Sequence, residues 1–309
     1  MPELPEVETI KRGLEKTIVG RTITGFDDRD KKVVQILKSD IVGSKIIGIE
    51  RRAKIIIIVL DNNQSMIFHM KMTGQLIWEK NCGESDFCLR NRRGLPAKAD
   101  QGIGLRAGGG HPDKAWLEKL PNKHTRAIFT FDDGSVLYFN DIRRFGWVKI
   151  TKNLKLKTEN YEILGHLGVE PLGEDLTPEY LQKMAARFPN RKIKQFILDQ
   201  TIISGVGNIY ADESLFEARI MPTRLAKDIK PKEWPKLIVS IKKVLEQGIK
   251  YGGSSSENFV DAFGKQGEAH EHLNVYRKTG QKCPNNCGGE VSRIVVGGRG
   301  THFCPTCQK

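Results

Sequence analysis

The chain has 309 residues, enough for two domains and a sizeable core. Its 50 Lys and Arg against 37 Asp and Glu leave a formal charge of +13, which favours a polyanionic partner, nucleic acid or an anionic membrane surface. No apolar run approaches the ~18 residues of a membrane span, so no membrane-spanning helix is expected and the protein should be cytoplasmic. Six cysteines in that setting point to metal or free thiols rather than disulfides.

The opening stretch MPELPEVETI reads as a helix start. Pro5 suits the first helical position, and Glu6 and Glu8 favour the positive end of the helix dipole. Leu4, Val7, Ile10, Leu14 and Ile18 recur at helical spacing, which predicts an amphipathic helix ending near Gly20. Pro2 lies before that helix and has no part in it. A small second residue predicts removal of Met1, which would make Pro2 the N-terminus.

β-Branched runs predict strands at 32–37, 45–51, 54–60, 65–71, 125–131, 135–140 and 145–150, with FDDGS as a hairpin turn. Strands without intervening helices predict an antiparallel β-sandwich over 1–150. Between Glu79 and Leu120 the pattern dissolves, which predicts a long loop with Cys82 and Cys88 as ordinary thiols. After Pro171 the period turns helical at 177–188, 191–200, 207–218 and 231–251, with start signals such as Thr177 followed by Pro178 and Glu179. The helical domain is expected over 151–270, and 271–309 forms a short third unit rich in Cys and Gly. The fold class is α+β.

Cys283 and Cys287 form C-x3-C, and Cys304 and Cys307 form C-x2-C sixteen residues on; four thiolates on two knuckles suit one tetrahedral zinc. Between the knuckles, glycines flank Arg299 and leave its guanidinium exposed in a geometry suited to phosphate. At Gly207–Ile209 a glycine turn opens a new helix. Its amides and the Asn208 side chain make either an anion site or simply a tight helix–helix turn.

At Pro2 the chemistry becomes specific. A terminal amine has a pKa of about 7.7–8.0 against about 10.4 for lysine, so roughly a tenth to a third is neutral near pH 7 to 7.5. A nearby cation such as Lys54 lowers it further. The secondary amine can attack a sugar C1′ and yield an iminium with no second N–H to lose. That fixed charge acidifies the C2′ proton and promotes elimination, and Glu3 can donate a proton as the sugar ring opens.

The stretches MPELPEVET, RRAK, MTGQL, NDIRRFGW, LGVEPLGEDLTPEYL, SGVGNIYADE and GRGTHFCPTCQK resemble bacterial formamidopyrimidine-DNA glycosylase over nearly the whole chain, in the family's order. The resemblance implies a β-sandwich, a helical half with a helix–two-turn–helix motif and a β-hairpin zinc finger. Double-stranded DNA would lie in a basic cleft between the halves, with the damaged base flipped out. It also implies removal of oxidised purines, 8-oxoguanine and formamidopyrimidines, and a nick at the abasic site by β,δ-elimination. The chain is expected to act as a monomer, in the cytoplasm and on the nucleoid.

Position by position, Pro2 matches the Schiff-base nucleophile, Glu3 the general acid, Lys54 the lysine of β-elimination and Arg299 the finger arginine of δ-elimination. His124, Arg143 and Asn208 match DNA-contacting positions, and Glu6 a second acidic residue near the site. Met72, Arg143 and Phe145 match the trio that fills the gap left by the flipped nucleotide, although Met72 and Phe145 at strand ends also suit a sandwich core. The chain departs from the family in its longer first knuckle, its longer loop at 79–120, and Lys71 where glycine is common. It also has Glu268 and Ala269 where the lesion-covering loop is frequently aromatic.

Overall fold

The computed structural model describes residues 1–80, 105–110, 118–152, 163–253 and 269–309; Cys82, Cys88 and Glu268 lie outside them. The chain divides into two compact units, Met1–Tyr161 with Tyr251–His270 and Glu162–Lys250 with Glu271–Lys309. Among the described residues no helix is long and apolar enough to cross a membrane.

The first unit begins with α1 (Leu4–Ile18), and the five apolar residues that predicted it are all fully buried. There follow β1 (Ile23–Asp28), β2 (Val34–Gln35), the short α2 (Lys38–Ile41), β3 (Ile46–Arg52), β4 (Ile55–Leu60), β5 (Gln64–His69) and β6 (Gly74–Lys80). β7 (Leu105–Gly110), β8 (Thr125–Phe131), β9 (Val136–Asp141) and β10 (Trp147–Lys152) complete two five-stranded sheets. Their orders are β1-β8-β9-β6-β7 and β2-β10-β5-β4-β3. Every ladder is antiparallel except the two-residue β2–β10 pair. One apolar core draws on both sheets: Phe68 of one meets Phe129 and Phe139 of the other edge-on at 5.9 Å. The FDDGS turn is present, closed by Phe131 N–H to Ser135 O at 2.9 Å.

Three expectations need correction. The strand at 32–37 shrinks to β2, and β1 carried too weak a pattern in ITGFDD to be anticipated. The loop at 79–120 contains the end of β6 and all of β7. β7 reads LRAGGG, a run no strand propensity favours, yet it pairs residue by residue with β6. A Cβ on Gly108, at φ +129°, would stand 1.9 Å from the Leu76 carbonyl oxygen, so only glycine lets this edge strand close. Gly108→Ala should therefore destabilise the sandwich by about 3 kcal/mol in a urea titration.

β7 and β3 are edge strands, and α1 packs on both, covering edges that would otherwise be open to pairing. Arg51 ties the helix to the β3–β4 turn, donating to Glu8 Oε2 at 2.9 Å and to Ala53 O at 3.0 Å.

The second unit holds α3 (Pro178–Arg187), α4 (Ile193–Leu198), α5 (Asn208–Ala218) and α6 (Glu233–Lys250) around buried Phe196, Tyr210 and Trp234. Thr177 caps α3, its Oγ1 accepting from Tyr180 N–H at 3.1 Å. Between α4 and α5 the chain makes two turns. Asp199 O accepts Ile202 N–H at 2.9 Å, and the Gln200 amide then joins Gly205 N–H (2.9 Å) to Val206 O (2.8 Å). The same unit contains the hairpin of β11 (Ser292–Val296) and β12 (Arg299–Phe303), turned by Gly297 and Gly298 at φ 56° and 74°. Buried Glu213 accepts the N–H groups of Asn274, Val275 and Tyr276 at 2.8–2.9 Å, anchoring the segment that leads into the hairpin.

Candidate active site and metal centre

Pro2 is buried just before α1. Glu3, 5% exposed, is the N-cap, and its N–H donates to Glu6 Oε2 at 2.8 Å. Glu6 is thus the returning half of a capping box, fixed against the first residues of the chain. Lys54 follows Ala53, whose φ of 55° turns β3 into β4, and its side chain is buried. Burial is the largest influence on the α-amino group, here on Met1, and holds its pKa below the ordinary 8.0. Glu3 and Glu6 push it up and Lys54 pushes it down. One chain terminus, two carboxyl groups and one ammonium therefore share a buried spot.

His69 belongs beside them, although a single histidine ending a strand carries no local signal in the sequence. Its neighbours in the sheet are Ile55, next to Lys54, and Trp147. Burial, then Lys71 and Lys54, bring the imidazole down to about 3, so it is neutral at physiological pH. Its Nδ1 accepts Lys71 N–H at 3.0 Å, which leaves Nε2 as the N–H donor. Lys71 itself sits at φ 48°, in the left-handed region, which explains why glycine is common there.

Met72, Arg143 and Phe145 come together. Arg143 Nη1 lies 3.4 Å from Met72 Sδ, and the guanidinium stands 4.6 Å above the Phe145 ring centre. Phe145 was expected to begin a strand; β10 starts instead at Trp147, leaving Phe145 in a loop and 53% exposed. Met72 is 43% exposed. Neither is a core residue. His124 precedes β8 and is half-buried, its carbonyl accepting Asp141 N–H at 2.9 Å.

In the second unit Arg299 opens β12 and is exposed. Asn208 opens α5 and donates from Nδ2 to Gly300 O at 3.1 Å. The fully buried Lys194 donates to the same carbonyl at 3.0 Å and to Thr301 Oγ1 at 2.8 Å, and pairs with Asp212 at 2.7 Å. Asp212 in turn accepts His302 N–H at 2.9 Å. Helices α4 and α5 thereby grip the strand that carries Arg299.

The sulfurs of Cys283, Cys287, Cys304 and Cys307 all lie within 4.8 Å of one another, with two pairs at 3.8 and 3.5 Å. Tetrahedral zinc with Zn–S of about 2.3 Å needs S···S of about 3.8 Å, so the set fits. The extra residue of the first knuckle is absorbed by Asn286, left-handed at φ 51°. Burial pushes the Cys283 thiol up to about 12. At Cys304 burial acts the same way, but donors from Cys307, Cys287 and Thr306 outweigh it and bring the thiol down to about 7. Cys304 is therefore the ligand most easily held as thiolate near neutral pH, and metal binding displaces the Cys283 proton to solvent.

Sandwich, helical unit and cysteine hairpin together define the class, a DNA-repair glycosylase fold with one structural zinc. Residues 1–148 match the formamidopyrimidine-DNA glycosylase N-terminal domain, 167–260 its H2TH domain, and 280–309 the zinc finger found in formamidopyrimidine-DNA glycosylase and isoleucyl-tRNA synthetase. Formamidopyrimidine-DNA glycosylases of Pelotomaculum thermopropionicum and Cytobacillus firmus are 36% and 37% identical over 316 and 314 residues. All of this chain is covered in both, with 99% and 100% of the relatives. Among solved structures, the Lactococcus lactis enzyme with abasic-site DNA is 32% identical at a TM-score of 0.80, covering 99% of both chains. The same enzyme with N7-benzyl-Fapy-dG DNA gives 32% and 0.80 over 100% of both. The chain belongs to the formamidopyrimidine-DNA glycosylase family.

Proposed function

We propose that the chain is a bifunctional glycosylase and abasic-site lyase of base-excision repair, acting on 8-oxoguanine and formamidopyrimidines. The observation that carries this is the buried chain terminus beside Glu3, Glu6 and Lys54. With Met1 removed, the Pro2 nitrogen attacks C1′, the base leaves with the electron pair of the glycosidic bond, and the proton shed by the amine neutralises the departing base. Glu3 protonates the ring oxygen as the sugar opens, giving the iminium. Loss of the C2′ proton expels the 3′ phosphate, with Lys54 managing the proton; a second elimination, assisted by Arg299, expels the 5′ phosphate. His124, Arg143 and Asn208 hold the DNA strand, and Glu6 keeps Glu3 in place. Met72, Arg143 and Phe145 fill the vacated stack, as apolar wedges do in kinked duplexes, while the Arg143 fork bonds the unpaired cytosine. The L. lactis complexes with abasic-site and Fapy-dG DNA support this reading. So do the separate family matches for a three-part division at about residues 150 and 270. The place of action is the cytoplasm, on the nucleoid.

Parallel incision assays test it. Duplexes carrying 8-oxoguanine opposite cytosine should be cut to products with phosphate at both new ends, and faster than duplexes carrying an oxidised pyrimidine. The opposite preference would assign the chain to the endonuclease VIII type.

A further inference from the structure

Two loops, 70 residues apart in sequence, hold Met72 and Phe145 exposed on either side of Arg143. Free loops would fold such apolar side chains away, so something fixes them.

Asp141 joins the two loops and is fully buried at the end of β9. Its Oδ1 accepts from Thr73 Oγ1, in the Met72 loop, and from Arg143 N–H at 3.1 Å. Its Oδ2 accepts Gly146 N–H at 2.6 Å. The Thr73 hydroxyl oxygen also accepts Arg143 N–H, at 3.0 Å. Each loop contains one non-glycine residue in the left-handed region, Lys71 at φ 48° and Arg144 at φ 57°. Each of these is held in turn, Lys71 by His69 and Arg144 by a two-pronged pair with Asp30 at 2.6 and 2.8 Å. Each loop also ends on a tightly packed glycine. A Cβ on Gly74 would stand 2.5 Å from Met70 O, and one on Gly146 3.0 Å from Asp141 Oδ2.

We infer that Asp141 is a positioning residue for duplex recognition: its one carboxylate fuses the loops 70–74 and 141–146 into a single wedge, formed before DNA arrives. It touches no DNA itself. Its effect is that the ordering of Met72, Arg143 and Phe145 is completed on folding and not demanded again at the lesion. The inference rests on the gap-filling role proposed above for those three residues.

Thr73→Val removes one link at similar volume, and Asp141→Asn replaces the shared carboxylate. Each should slow excision of 8-oxoguanine from duplex DNA at least about tenfold, the lower end of what one charge-assisted hydrogen bond contributes. Cleavage of a single-stranded abasic site should change less than about twofold, since no stack has to be filled there. In the DNA-free protein, amide exchange at Arg143 and Gly146 should quicken at least about tenfold. Met72→Ala is the reference for the underlying role. If it slows both substrates equally, the gap-filling role has failed and the inference falls with it. If it slows the duplex reaction far more, yet Thr73→Val and Asp141→Asn leave duplex excision and amide exchange unchanged, the role stands and the inference is overturned. Equal losses on both substrates in those two variants, with a lowered Tm, mark purely structural residues and also overturn it. Should Asp141→Asn fail to fold, Thr73→Val decides alone.

Discussion

Borohydride present while the chain, freed of Met1, acts on duplex DNA with 8-oxoguanine opposite cytosine should yield a covalent adduct at Pro2. Pro2 carries a secondary amine once it is terminal, so its adduct with C1′ is an iminium that cannot shed a proton to become a neutral imine. Borohydride reduces that carbon and fixes the bond. The amine must be neutral to attack. Burial lowers the α-amino group of Met1, Glu3 and Glu6 raise it, and Lys54 lowers it. The Pro2 amine, freed beside the same groups, is expected to be lowered likewise. A lowered amine pKa is lost as a nucleophile only when the pH falls through it, so trapping should persist below pH 8 and fail in acid. Pro2→Gly leaves a primary amine and should weaken trapping while leaving DNA binding largely intact. Glu3→Gln should slow turnover by about 10²–10⁴, the usual share of a positioned general acid, again with binding retained. A DNA-binding preparation lacking Met1 that gave no adduct would rule out Schiff-base catalysis. Tolerance of both substitutions would mark a DNA-binding protein that merely keeps the fold.

Much of this site was legible because its signals are local. α1 was visible in one apolar stripe, the zinc set in two short spacings, and the nucleophile proposed above in a proline that the helix does not need. What stayed hidden depends on pairing across the chain. β7 has no periodicity of its own, and its glycines make sense only against the Leu76 carbonyl. His69 gains its neutral state from Lys54 and Lys71, which no window around it weighs together. Asp141 sits in NDIRRFGW like any polar residue before a turn; its link to Thr73 is invisible until the sheets are assembled. Phe145 was misplaced for the opposite reason. An aromatic beside Trp147 fits a strand, but Asp141 takes the Gly146 amide and holds the chain out of the sheet for two more residues.

Removing zinc should abolish tight DNA binding without dissolving the helices. Structural zinc typically contributes ~10–16 kcal/mol of apparent binding free energy to its small domain. Its apolar cluster is small, Phe216, Val275, Cys283, Val291 and Cys304, two of which are ligands themselves. Without the metal the knuckles separate, and the cluster is too small to hold them. The grip of Lys194 and Asp212 on β12 then loses its object, since both bind groups of residues 300–302. Far-UV circular dichroism should nevertheless change little, because α3, α5 and α6 remain intact. Metal analysis should find about one zinc per chain. Its chelation should weaken binding to abasic-site duplex at least about 100-fold by displacing Arg299, and added zinc should restore it. Cys304→Ala should behave like the chelated protein and resist that rescue. On this reading the metal would take no part in bond breaking and would hold an arginine in place from a distance. Freshly purified, active protein without zinc, or undiminished DNA binding after its removal, would refute that.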